Sequence, residues 1–172
     1  MKKVSFQNDV LPLKNKLYRL ALRITLNAAD AEDVVQETMM KVWMRRQQWE
    51  QIESMEAFCL TICRNLSLDK TRHMADSELS LDTTEHDAPD HSHHADPEAQ
   101  TIQQDRLRLV RQIVDGLPEK QRTAMQLRDF EGKSYKEIAT IMDISEEQVK
   151  INIFRARQTV KQRFLHTEDH GT

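Results

Sequence analysis

Apolar positions recur along this chain at intervals of three and four residues, the period of a helix with one buried face. Leu13, Leu17, Leu20 and Ile24 share such a face and predict a helix over residues 11–26, with Pro12 suited to its first turn. Asn27-Ala-Ala-Asp30 interrupts the pattern. Asp30 is expected to cap a second helix, ADAEDVVQETMMKVWMRR, with Asp33 near the positive end of its dipole. Val35, Met39, Val42 and Trp43 form its expected buried stripe, while Asp33, Gln36, Glu37, Met40 and Lys41 face away. A third helix is predicted to start near Ser54. Phe58, Ile62, Asn65 or Leu66, and Leu68 form its stripe, and its polar end runs through Arg64-Asn65 to Asp69-Lys70-Thr71-Arg72.

The pattern lapses after Leu81 and returns near residue 97, predicting a helix over about 97–114 before Gly116-Leu117-Pro118. LPEKQRTAMQLRDFEGKS predicts another helix, opened by Pro118 near its first position and closed by Gly132. Two capping boxes follow within eleven residues: Ser134 with Glu137, and Ser145 with Gln148. They predict a short helix over 135–142, a turn at Asp143-Ile144 and a long helix over 146–164. Ile138, Ala139 and Met142 would bury one face of the first, and Val149, Ile153, Ala156 and Val160 one face of the second. Two short-coupled amphipathic helices behind a supporting helix make a helix-turn-helix.

Composition agrees with this reading. Only 3 Gly and 4 Pro interrupt 172 residues, and no alternating run long enough for a strand stands out. The expected fold is all-α: two small helical domains, residues 8–73 and 101–166, joined by a flexible acidic linker at 74–100. No apolar run has the length of a signal peptide or a membrane span, so a cytoplasmic protein is expected.

Charge sharpens the division. Residues 1–72 carry 12 Lys/Arg and 9 Asp/Glu, residues 73–100 carry 8 acids and no Lys/Arg, and residues 101–172 carry 13 Lys/Arg and 11 Asp/Glu. The middle segment lacks the apolar content to offset its ordering entropy. Its histidines, His91, His93 and His94, have no cysteine near them and read better as polar linker than as metal ligands. Cys59 and Cys63 read as small buried thiols, since the spacing is not C-x-x-C. Trp49 either packs at a helix end or stacks on an unpaired base. On the long C-terminal helix the cations Lys150, Arg155, Arg157, Lys161 and Arg163 follow Glu146 and Glu147. That order suits the helix dipole. The capped helix and tight turn in front of it add a DNA-binding reading that charge order does not require.

These residues resemble a known family. LPEKQRTAMQLRDFEGKSYKEIATIMDISEEQVKINIFRARQTVKQRF looks like region 4 of bacterial sigma factors, and LYRLALRITLNAADAEDVVQETMMKVW followed by AFCLTICRNLSLDKTR looks like region 2. Together they resemble the extracytoplasmic-function (ECF) group, over about residues 10–72 and 101–165. The resemblance implies a transcription initiation factor with no catalysis of its own, no cofactor and no metal. It implies that Asp33, Gln36, Glu37 and Met40 dock on the clamp helices of the largest subunit of core RNA polymerase, with the flap as a second contact. Arg64, Asn65, Asp69, Lys70 and Arg72 would open and read the -10 promoter element, although Asn65 also suits a capping or core role. Glu146, Glu147, Lys150 and Ile151 would contact bases of the -35 element, with Arg155 and Arg157 on phosphates and Ser134 and Lys136 near the backbone. Asp143 replaces a glycine common in the turn of relatives, and Asp tolerates the left-handed conformation. Ile151 stands where relatives often carry a small polar residue, which implies a thymine-methyl contact or a changed -35 preference. The acidic linker would either lie in the basic RNA-exit path or act as a plain tether. An anti-sigma partner is a further expectation. Two rivals remain: a free-standing helix-turn-helix regulator, which leaves ADAEDVVQE unexplained, and a metal enzyme built on HDAPDHSHH, which has no surrounding pocket.

Overall fold

The structure, a computed structural model, describes residues 3–80 and 101–170. The histidine cluster and most of the segment read as a linker lie outside the described residues. A π-helical turn, Phe6–Val10, is capped by Ser5, whose hydroxyl accepts from the Asn8 amide at 3.0 Å. A 3-10 turn, Leu11–Leu13, carries Pro12 and leads into α1 (Lys14–Thr25). Helices α2 (Ala28–Met44) and α3 (Met55–Ser80) complete the first unit, linked by a 3-10 turn at Arg46–Gln51. The second unit contains α4 (Ile102–Asp115), α5 (Glu119–Met125), a π-helical turn at Gln126–Phe130, α6 (Tyr135–Met142) and α7 (Glu146–His170). Every described element is helical, in line with the all-α expectation.

Several boundaries differ from the sequence pattern. Asn27, not Asp30, caps α2: its backbone is extended (φ -142°, ψ 120°) and its side chain accepts from the Asp30 amide at 2.9 Å. Asp30 already lies in the first helical turn, where its charge still favours the dipole. Helix α3 continues through Ser80, so the first residues of the segment read as linker are helical. Thr101 caps α4, so that helix starts later than the pattern predicted. Pro118 sits at the N-cap of α5 instead of inside it, and α7 runs past 164 to His170.

The buried stripe of α2 is Ala31, Val34, Val35, Thr38 and Val42. Trp43, expected in the core, is 48% exposed, while Trp49 is 7% exposed. The reason is geometric. The turn after α2 folds Trp49 back so that its indole N–H donates to the Val42 carbonyl at 3.0 Å, and Trp43 is left edge-on between Phe6 and Trp49. Packing is therefore the role of Trp49. Cys59 and Cys63 are both free thiols in the core of α3. Asn65 is exposed and takes no core role.

Both units contribute to one continuous apolar core. Leu17, Leu20, Leu60 and Cys63 belong to the same cluster as Leu127, Ile138, Ile141 and Met142. Helix α6 packs against α3, and α1 packs against α5. Arg122, buried in α5, donates to the carbonyls of Asp115 (3.1 Å) and Leu117 (2.9 Å) in its own unit and of Ile24 (3.3 Å) in the other. Burial pulls its pKa down, against the raising influence of Glu119 and Asp115.

Candidate polymerase and promoter interfaces

The helix-turn-helix forms as the two capping boxes dictate. Ser134 Oγ accepts from the Glu137 amide at 3.1 Å, and Glu137 Oε1 accepts from the Ser134 amide at 3.2 Å. Ser145 and Gln148 repeat the exchange at 3.1 and 3.3 Å. Between them Asp143 is left-handed (φ 54°, ψ 49°), so the chain reverses between two helices without a glycine. Ile138, Ile141 and Met142 bury the inner face of α6, and Val149, Ile153 and Ala156 that of α7. Ile141 completes a face the sequence reading had assigned to Ile138, Ala139 and Met142.

What remains outside is the candidate -35 face. Glu146, Glu147, Lys150, Ile151 and Arg155 are exposed on α7, and Lys136 is exposed on α6. Ile151 is 47% exposed and Phe154, one turn further on, is 66% exposed. Phe154 has no role in the sequence reading, although the buried spacing of Val149, Ile153 and Ala156 already leaves it off the inner face. Arg157 is exposed but not a free cation: it forks onto Asp129, with Nε to Oδ2 at 3.0 Å, and this hydrogen bond raises its pKa. The Tyr135 ring carries the Arg128 guanidinium at 4.3 Å and the Lys150 ammonium at 5.5 Å. Arg128 thus joins the same basic surface, from a π-helical turn that no local motif marks.

Helix α2 presents a second surface. Asp33, Gln36, Glu37 and Met40 lie at helical spacing and are all exposed, Met40 at 63%. The face continues into Trp43 and Met44, with Arg46 stacked 4.6 Å over the Trp43 ring.

The -10 candidates on α3 separate into two groups. Asn65 and Asp69 line a hollow of about 190 Å³ between α2 and α3, together with Lys41, Arg45, Phe58 and Thr61. This places an amide, a carboxylate, two cations and an aromatic ring around one opening. The Arg45 guanidinium lies 6.0 Å from the Phe58 ring. Phe58 packs against the core, as its place in the α3 stripe predicts, and also borders this hollow; Lys41 faces away from the α2 stripe as expected, and Arg45 carries no expectation from sequence. Lys70 turns instead to Asp33 of α2 at 3.5 Å, and Arg72 lies 4.0 Å from Asp69. Arg64 donates to Asn65 Oδ1 at 3.2 Å. A separate cleft of about 660 Å³ between α1 and α4 holds none of the residues singled out from sequence. Among the described residues no cluster of three or more metal-ligating side chains occurs, and no helix is long and apolar enough to cross a membrane.

Among the described residues every element is helical, and a helix-turn-helix with exposed cations defines the class of a DNA-binding factor. Residues 10–75 match the family described as sigma-70 region 2, and residues 107–160 match sigma-70, region 4. The chain is 30% identical to the RNA polymerase sigma-H factor of Pseudomonas aeruginosa over 92% of its length and 85% of that protein's. It is 29% identical to the ECF RNA polymerase sigma-E factor of Haemophilus influenzae, over 94% of its length and 88% of that protein's. The ECF RNA polymerase sigma factor SigL of Mycobacterium tuberculosis is 30% identical over 84% of this chain and 80% of its own. The sigma factor RpoE of Bartonella quintana, solved in complex with the anti-sigma factor NepR, superposes with a TM-score of 0.76 at 25% identity, covering 94% of this chain and 96% of that one. CnrH, solved with the cytosolic domain of CnrY, shares the fold at 20% identity, with a TM-score of 0.64, covering 91% of this chain and 85% of that one. The chain belongs to the sigma-70 family of RNA polymerase sigma factors, in its extracytoplasmic-function group.

Proposed function

We propose that this sigma factor docks on the clamp helices of core RNA polymerase through the α2 face, with Asp33, Gln36, Glu37 and Met40 as contacts. Helix α3 then melts and holds the -10 element, with Asn65 and Asp69 at the hollow and Arg64, Lys70 and Arg72 neutralising the strand. Helix α7 enters the major groove of the -35 element: Glu146, Glu147, Lys150 and Ile151 meet base edges, while Arg155, Arg157, Ser134 and Lys136 meet the backbone. The polymerase flap and an anti-sigma factor complete the partners. The chain divides the work between residues 8–73 and 101–166, on either side of 74–100.

The observation that carries this reading is the coexistence of two kinds of exposed helix face in one chain. The α2 face bears Asp33 and Glu37, which suit a basic protein helix better than DNA, while α7 pairs cations with an exposed Ile151. A mild net charge of -3 agrees with DNA affinity that depends on the holoenzyme. The test is permanganate footprinting on a promoter pool, with the purified protein alone and with core polymerase. Melted, selected promoters only in the presence of core support the proposal. Tight, specific duplex binding by the protein alone, unchanged by core, would replace it with a free-standing regulator.

A further inference from the structure

We propose that the cleft between α1 and α4 binds a small anionic amphiphile, an aliphatic chain with a carboxylate head. The site is separate from the docking, -10 and -35 residues and does not rest on their roles.

Leu26 ends α1 in the left-handed region (φ 55°, ψ 27°). Glycine or asparagine sits there at lower cost than a leucine. The Leu26 side chain lines the cleft, and among the described residues it packs in neither apolar core cluster. Core packing therefore does not account for a leucine at this strained position, whereas an apolar ligand lying against it does. The floor beside it is apolar and open. Leu107 and Phe130 are 45% and 42% exposed, and both line the cleft with Leu22 and Leu26.

Helix α4 supplies the charge. Val110 and Val114 pack on the second core cluster, while Leu107, Arg108 and Arg111 recur at helical spacing on the face that lines the cleft. On the α1 side, Arg19 and Arg23 already have carboxylate partners, Glu131 (Nε to Oε1 at 2.7 Å) and Asp115. Arg108 and Arg111 are exposed, and no described carboxylate pairs with either. Two guanidinium groups one turn apart suit a single carboxylate.

Size selects a small molecule. The cleft holds about 660 Å³, inside the range of about 300–1,000 Å³ for small-ligand sites. Two turns of α-helix, about 10 Å wide and about 11 Å long, fill about 850 Å³. Phe130 is the one aromatic residue in the lining. A flat base would find a single ring to stack on, whereas an alkyl chain meets apolar side chains from both helices.

The test is isothermal titration calorimetry of the full chain with octanoate, decanoate and dodecanoate, each below its micelle-forming concentration. One molecule should bind per chain. A buried methylene tightens binding about fourfold, so each two-carbon step should tighten it about tenfold. Dodecanol, with the same chain and no charge, should bind at least about tenfold more weakly. Arg108→Gln with Arg111→Gln should erase that preference for the acid. Leu26→Gly should weaken dodecanoate binding several-fold without lowering the melting temperature of the ligand-free protein, because the left-handed backbone suits glycine. Helical circular dichroism checks that each variant is folded. Dodecanol binding as tightly as dodecanoate overturns the proposal, as does dodecanoate affinity untouched by Leu26→Gly. So does uptake of many molecules per chain, which marks an adventitious surfactant only, or no saturable binding at all. ATP binding more tightly than dodecanoate would assign the cleft to nucleotides instead.

Discussion

The Lys70 ammonium stands 3.5 Å from the Asp33 carboxylate, joining the exposed face of α2 to the polar end of α3. These two residues carry different proposed duties, polymerase docking and DNA melting. Both side chains are at least a third exposed, so the pair itself contributes less than about 1 kcal/mol to stability. Asp33→Asn is expected to weaken core polymerase binding several-fold with an unchanged denaturation midpoint. Lys70→Ala should leave core binding intact and lower open-complex formation. Fluorescence anisotropy with core enzyme and permanganate reactivity separate the two, and a shared loss of core binding would place Lys70 in the docking face.

On α7, Lys150 and Ile151 are expected to fail differently. Lys150→Ala should weaken holoenzyme binding across promoter sequences and lower the salt slope by about 1. Ile151→Ser should change the preference at one base pair of the -35 element, by about 1–3 kcal/mol. Selection from a randomised -35 pool, read at two salt concentrations, distinguishes general from base-specific loss.

The turn of the helix-turn-helix makes a stability prediction. Asp143 sits at φ 54°, so Asp143→Val should cost about 1–2 kcal/mol, whereas Asp143→Gly should be tolerated. Ser145→Ala removes an N-cap and should cost about 1 kcal/mol. Urea denaturation of the full chain reports each as a shift in midpoint at constant slope.

The thiols make a prediction about pH. Burial pushes Cys59 up to about 12, with Glu56 adding to it. Burial also pushes Cys63 up to about 12, against hydrogen bonds from Ser67 and Thr38 that lower it. A raised folded pKa favours the protonated native thiol. This stabilisation is full below the unfolded thiol pKa of about 8.5 and is lost as pH rises from there through the folded value. Neither thiol should react with a thiol reagent at pH 8 in the native protein, and both should react in urea. Fast native labelling of either would contradict their burial.

Local structure was the most legible part. Both capping boxes, the span of α6 and the left-handed Asp143 follow from residues within four positions of one another. The exposed Asp33, Gln36, Glu37 and Met40 follow from helical spacing. Trp43 lost its expected core place because the turn after α2 carries the Trp49 indole N–H back to the Val42 carbonyl, seven residues earlier. Helical spacing put Arg157 on the outer face of α7 but did not show its partner, Asp129, which is distant in sequence. Phe58, Lys41 and Arg45 joined Asn65 and Asp69 only when α2 and α3 were packed.

The sequence by itself determined the helices, the caps of α6 and α7, the helix-turn-helix and the family, because these depend on short-range spacing and side-chain-to-backbone bonds. Only the tertiary structure decided that Leu20 and Ile138 share one core and that Arg19 meets Glu131 across 112 residues of chain. Such pairings depend on which helix faces meet in space, and a one-dimensional period records that a face is apolar without recording what it meets.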